Sequence, residues 1–304
     1  LQSELKSISL SSVRKTPTFS QQQQMEIQLK EIGNINENSF EYHLLNYQVG
    51  NYDFSKVESL EKAARIKPND VIVLKEFSAY SYIMNNDNEL IKYLNSLNSM
   101  RVFSIDLELF LANMLRSLPT NSILISHGEN DTYPLLIQQK IKNIRNDVEI
   151  ISLEHLQSVD YRKRLKKEGF KIPNRTVIDT DFFQEFILLN KTKSIIAAPS
   201  LPSAYLSKGK TLNTIGLGYS LFGNSDIEFN TTRYEKELKS LIKEHVNRGK
   251  SSDVISNYLP YLFNVRNEYL EKSDVKSINE IELLIIRIAE LSNKQKQVKA
   301  LMNK

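Results

Sequence analysis

Apolar residues recur at three- and four-residue spacing near both ends of this chain and close up into short unbroken runs in the middle. Early on, His43, Leu44, Leu45 and Tyr47 precede a turn at Gly50, Asn51, Tyr52 and Asp53. Val57, Leu60, Ala63, Ala64 and Ile66 then follow on one helical face as far as Pro68. The pattern predicts helix, glycine turn, helix and proline stop. A weaker unit follows, with Val71, Leu74, Phe77, Ala79 and Tyr80, a turn over 85–88, then Leu90, Tyr93, Leu94 and Leu97. A further helix is expected from Ile105 to Leu118, ended by Pro119. At Asn121 the period changes. Ser122 to Ser126 is an apolar run of strand length, 127–132 is a polar turn, and Tyr133 to Arg145 reads as a helix with Pro134 in its first turn. Val148 to Ser152 is a second strand, so ~30 residues make up a βαβ unit. Beyond it, Leu156 to Lys167 reads as a basic helix stopped at Gly169, and Thr176 to Asp179 as a strand or an extended arm. Phe182 to Leu189 reads as a helix and Ser194 to Ala198 as a buried strand closed by Pro199. Leu212 to Leu221 is expected to close the sheet, with Gly216 and Gly218 marking a bulge or a close backbone approach. Helices are expected again over 233–246, 252–272 and 277–302.

Residues up to about Asn38 are polar, including the Gln21 to Gln24 run, and predict a flexible lead followed by a first helix. The chain then divides into four parts: 1–38, the polar lead and first helix; 39–119, a helical block; 120–224, an α/β domain; and 225–304, a C-terminal helical block. The helical block resembles tetratricopeptide repeats (TPR). Gly50, Tyr52, Ala63 and Pro68 match that motif in kind and order, though not in every interval. The fold class expected is a central α/β domain, βαβ-containing with a mostly parallel sheet, flanked by N-terminal TPR-like helical hairpins and a C-terminal helical block. Stacked hairpins normally come in threes or more, so this block is expected to lean on another part of the chain.

Composition narrows the function classes. At 304 residues, 40% apolar and 25% charged, the chain can bury a sizeable core. Its 40 basic and 36 acidic residues are spread along its length, and a net charge of +4 without a basic tail argues against nucleic acid. The lack of cysteine excludes disulfides, thiolate metal sites and cysteine nucleophiles, and fits either a cytoplasmic or a cysteine-poor envelope protein. The greasiest helix, Ile281 to Leu291, is broken by Glu282, Arg287 and Glu290, so no membrane span is expected. Because it begins at Leu1 and not at methionine, the chain is expected to be a processed product or a trimmed fragment, with any signal peptide or anchor outside it.

One polar cluster stands where a strand ends and a helix begins: His127, Gly128, Glu129, Asn130, Asp131 and Thr132. In open α/β sheets ligands gather at this place, because helix N-terminal amides point into the crevice. Here Glu129 and Asp131 would hold a cation or a ligand hydroxyl, and His127 would serve as acid or base. The same residues also suit a helix start, with Asp131 or Thr132 as cap and Gly128 at positive φ. Ser126 is a nucleophile only if a base reaches it, and no Gly-x-Ser-x-Gly elbow surrounds it. No phosphate loop is present, and Gly216-Leu217-Gly218 is too sparse for a dinucleotide fingerprint. His43, His127, His155 and His245 never fall at metal-ligand spacing, so neither metal nor cofactor is expected. The cations from Arg162 to Lys167 spread around a helix whose other face carries Tyr161 and Leu165. That is the pattern of a solvated surface helix, and it also fits a phosphate- or membrane-binding patch.

Leu118 to Leu124, Gly128 to Leu135 and Arg145 to Val148, read together, resemble the soluble tail of a Bacteroidota family of multi-spanning, mannosyltransferase-like membrane proteins of unknown function. That tail carries Gly-Asp-Asn-Asp-Thr-Phe-Pro-Leu, then Arg-x-Asp-Val. Here Glu129 replaces the first Asp, and the transmembrane part is absent. The resemblance covers about residues 100 to 224 and includes the segment Gly216 to Leu221. It implies a periplasmic protein, lipid-anchored or peripheral to a membrane, without carrying a transferase activity over to this chain. The function expected is a non-enzymatic scaffold or accessory subunit of an envelope complex for secretion or surface transport. It would dock protein partners through its helical faces, touching the membrane only through a partner or a missing anchor. The alternative is a small-ligand or carbohydrate-binding domain, or a weak hydrolase, using His127, Glu129, Asn130, Asp131 and Thr132.

Overall fold

The computed structural model describes residues 1–206, 213–222, 227–249 and 252–303. It is 66% helical and holds one small mixed sheet, so the expected class, a central α/β domain with a mostly parallel sheet between helical flanks, is corrected to a mostly helical fold. The strands are β1 (Ile123–Ser126), β2 (Glu149–Ser152), β3 (Ile195–Ala197), β4 (Asn213–Ile215) and β5 (Gly218–Ser220), in the order β2-β1-β3-β5-β4. Only β1/β2 and β1/β3 run parallel; β3/β5 and β5/β4 are antiparallel. Two local causes account for the difference. The 42 residues between β2 and β3 hold the helices Val159–Lys167 and Thr180–Leu189 and give the sheet no strand. After β4 the chain reverses within two residues, through Gly216 at φ +55°, and a two-residue reversal can only yield an antiparallel neighbour. A Cβ on Gly216 would lie 2.5 Å from the Ser117 carbonyl oxygen, so the turn is also a close backbone approach. The expected start of this segment, Leu212, and the boundary at 224 lie outside the described residues.

Side-chain alternation along β1 to β3 feeds two cores. Leu124, Ile150 and Ile196 enter a cluster that runs from Leu74 and Leu90 through Phe110, Leu136 and Tyr258 to Ile285 and Val298. Ile123, Ile125, Ile151, Ile195 and Ala197 face Tyr161, Leu165, Phe182, Phe183 and Phe186. The first core joins the early hairpins, one sheet face and the C-terminal helices in one apolar body, the support the early helices lack on their own.

The hairpins pair Phe40–Val49 with Val57–Ile66, and Val71–Ile83 with Asp87–Ser99. Several helix ends use one device without glycine. Asn85, Ser273 and Asn293 sit near φ +56°, and the next amide reaches back five residues, Asn86 to Ser81, Asp274 to Tyr269 and Lys294 to Ala289, at 2.8–3.0 Å. The following helices are capped by Asn86 and Asp274 side chains.

The segment expected as a polar lead forms the helix Gln2–Leu10 and then runs past the carboxyl ends of β1 and β2, where Lys15 meets His127 and Glu154. The Lys15 and Thr16 amides donate to the Ile178 carbonyl, the Thr180 amide donates to Val13, and Arg14 bridges Asp179. The stretch read as a strand or arm at 176–179 is thus an arm paired with the N-terminal segment. No described helix is long and apolar enough to cross a membrane.

Candidate functional site

The polar loop after β1 opens at the strand's carboxyl end. Its helix, Glu129–Lys140, starts behind Gly128 at φ +74° with no side-chain cap, so Asp131 and Thr132 lie within the first turn and do not cap it. Both are buried and bonded inward. Thr132 Oγ1 meets Ser126 Oγ at 2.8 Å, which occupies that serine's hydroxyl, and Asp131 accepts a short hydrogen bond from Ser200 beyond β3. Burial, opposed by the Ser200 bond, pushes the Asp131 carboxyl up to about 6. Asn130 is exposed and has no hydrogen bond among the described residues.

His127 enters a network that spacing along the chain does not reveal. Lys15 is 0% exposed, and its ammonium donates to the Ser9 and Ser11 carbonyls at 2.7 and 2.9 Å and to His127 Nε2 at 2.8 Å. An ammonium only donates, so Nε2 accepts and the imidazole is neutral. Glu154, after β2, places Oε1 3.4 Å from both nitrogens, while its Oε2 accepts the Gly128 amide at 2.9 Å. The amide that would greet a ligand's anion at this strand end is therefore held by the protein's own carboxylate. Burial pushes both Lys15 and His127 below their ordinary values; Glu154 pulls each back up, and Lys15 adds to the fall at His127.

Glu129 points away from this cluster. It pairs with Lys75 of the second hairpin at 2.5 Å and lines a cleft of about 430 Å³ between the N-terminal helices and the carboxyl ends of β1 and β2. Tyr47, Gln48, Asn51, Tyr52, Glu76, Glu154 and Gln157 share this cleft, with Leu5, Ile8, Leu10 and Met25 as its apolar wall. Asn51 donates to Gln157, and Gln48 donates to Glu76 at 2.8 Å. Tyr47 is 1% exposed, yet its hydroxyl finds no partner, and Glu154 Oε1 has no hydrogen bond, with the Lys15 ammonium and the neutral His127 ring 3.4 Å away. Buried polar groups are nearly always satisfied, so these two atoms leave hydrogen-bonding capacity at the cleft that a ligand hydroxyl can take up. Tyr52 holds φ +66°, costly for an aromatic residue and a further sign of local strain at the cleft. Behind it, His155 stacks edge-on to Tyr52 and Tyr161, and burial lowers its imidazole to about 3.

Of the five residues read as a site, His127 meets Lys15 and Glu154, Glu129 turns to Lys75 and the cleft, Asp131 and Thr132 serve the strand ends, and Asn130 faces water. Lys15, Tyr47, Glu76 and Glu154 carry no signal in the local pattern. Arg162 and Arg164 of the basic helix are largely occupied with backbone carbonyls, Leu156 and Gln157 for the first, Tyr82 and Ile83 for the second. Among the described residues no group of three or more His, Asp or Glu could hold a metal ion.

A mostly helical chain with a polar cleft at the ends of two short parallel strands is the class that fold and site define. Residues 109–187 match the family model described as TMEM260-associated domain 2, which points to a TMEM260-like family. No curated protein matches the chain. The matched stretch holds the β1 loop and Glu154 but not Lys15, Tyr47 or Glu76.

Proposed function

We propose that the chain is a binding module for a small hydroxyl-bearing ligand of the sugar class, held in the cleft between the first hairpins and the β1 and β2 ends. The buried, unpartnered Tyr47 hydroxyl carries this reading. Carboxylates, carboxamides and tyrosines around a concave apolar wall are the groups that exchange hydrogen bonds with a polyol while covering its carbon face. A monosaccharide panel should shift the aromatic NMR signals of Tyr47 and Tyr52. Tyr47→Phe should weaken binding about tenfold, the worth of one hydrogen bond, at unchanged melting temperature. Unshifted signals across the panel would defeat the reading.

On the sequence resemblance alone, we propose that the module belongs with the Bacteroidota multi-spanning mannosyltransferase-like proteins, at the periplasmic face of a membrane. A second reading, a non-enzymatic accessory subunit docking protein partners, is favoured by exposed apolar side chains on one helix. Val275, Leu283 and Ile286 share a side of the helix Val275–Leu291 and are exposed, the first two at 66% and 70%. Crosslinking in envelope membranes should then give a stoichiometric partner that is lost on Leu283→Glu.

A further inference from the structure

The three carboxylates of the cleft are not equally balanced. Glu129 has the Lys75 ammonium at 2.5 Å, and Glu154 has the Lys15 ammonium at 3.4 Å. Glu76 has no cation partner among the described residues; its single hydrogen bond comes from the Gln48 carboxamide. Lys75 on its own helix draws its proton off, whereas Glu129 across the cleft holds it on. Glu76 in turn holds the protons on the phenols of Tyr47, Tyr52 and Tyr133, after burial has done most of that work. Lys6 reaches the same cleft from the N-terminal helix, but it is exposed and forms no ion pair among the described residues. A carboxyl surrounded in this way is satisfied either by a proton or by a cation that arrives from outside.

We propose that the ligand carries a protonated amine, seated on Glu76 with its neighbouring hydroxyls met by Tyr47 and Gln48, so that the cleft selects amino sugars over neutral ones. This rests on the reading of the cleft as a sugar-class site. Burial pushes the Glu76 carboxyl up to about 7, so in the empty cleft it holds a proton for much of the time near neutrality. The ligand ammonium replaces that proton. Affinity for the amine therefore rises with pH between 5 and 7, approaching tenfold per pH unit, whereas affinity for a neutral sugar does not.

The experiment is an NMR and calorimetric titration of the whole chain with D-glucosamine and D-glucose at pH 5, 6 and 7, for the native protein and for Glu76→Gln. Glutamine keeps a partner for Gln48, and the melting temperature reports that the variant is folded. The expected result is tenfold or greater preference for glucosamine at pH 7, shrinking towards pH 5 and absent in Glu76→Gln. Equal affinity for the two sugars, or a preference that survives in Glu76→Gln, overturns the amine assignment and leaves the sugar-site reading standing. No shift at Tyr47 or Tyr52 with either sugar overturns both.

Discussion

The parallel pair β1/β2 carries a polar cluster at each end, and the two use their hydrogen-bonding capacity differently. At the starting end, Arg145 donates to the Leu115, Arg116, Leu118 and Pro119 carbonyls and forks onto Asp147, which also accepts the Asn121 amide. This closes the last turn of the helix Ile105–Ser117, whose carbonyls would otherwise be orphans. The Arg145 guanidinium holds the Asp147 carboxyl well below the usual range. At the finishing end, Glu154 Oε1 has no hydrogen bond, and the Tyr47 hydroxyl, which lines the same cleft, has no partner. Arg145 and Asp147 stand two residues apart in the chain, whereas Lys15, His127 and Glu154 are brought together only by the fold. A saturated cluster holds the fold; an unsaturated one, lining a cavity, is open to a ligand.

The contrast can be broken most severely at Arg145. Arg145→Ala should cost about 3 kcal/mol, because several charge-assisted bonds to carbonyls vanish together, while sugar-induced shifts at Tyr47 survive in the folded fraction. Denaturant midpoints compared with titrations would check it, and loss of binding in a protein of unchanged stability would erase the distinction.

A second, more moderate effect concerns acid. The folded His155 imidazole, at about 3, lies below its unfolded value, so its contribution is full above about 6.5 and is lost as pH falls towards 3. Asp131 and Glu76 act in the opposite sense. Their raised folded values give a contribution that is present below about 4 and lost as pH rises through about 6 and 7. His155→Phe should therefore flatten the acid limb of a stability-against-pH curve between 6.5 and 3, and an unchanged limb would place the acid sensitivity elsewhere.

The smallest effect is expected at Asn130. Although it sits in the middle of the loop, it is exposed and unbonded, and Asn130→Ala should move stability by less than about 0.5 kcal/mol and leave sugar affinity unchanged. A tenfold loss of affinity would show that the loop itself grips the ligand.

What could be read beforehand follows from the range of each interaction. Strand, helix and strand over 122–152 are written in local periodicity, and so are the hairpin helices with Asp70 and Asn86 at their starts. The sheet's extent was misjudged, because strands of three or four residues carry too little pattern to separate a mixed sheet from a parallel one. In the site, the loop after β1 was visible as a cluster. Lys15 was not, since its meeting with His127 spans 112 residues and nothing around it in the chain differs from any polar segment. Glu76 carries no mark of its own in the helix pattern; its cleft is made by the neighbouring hairpin and the β1 loop.

The pairing of residues 13–16 with the arm at 178–180 bears on the order of assembly in the cell. The Ile178 amide donates to the Thr16 hydroxyl, a contact closed over 162 residues. During synthesis at roughly 5–20 residues per second, the Lys15 segment waits on the order of ten seconds for its partner strand to leave the ribosome. Until then the Lys15 and Thr16 amides, the Thr16 hydroxyl and the Val13 carbonyl stay in water. The N-terminal segment is thus fixed late in synthesis, and a nascent chain truncated before residue 178 would lack the arm that holds it.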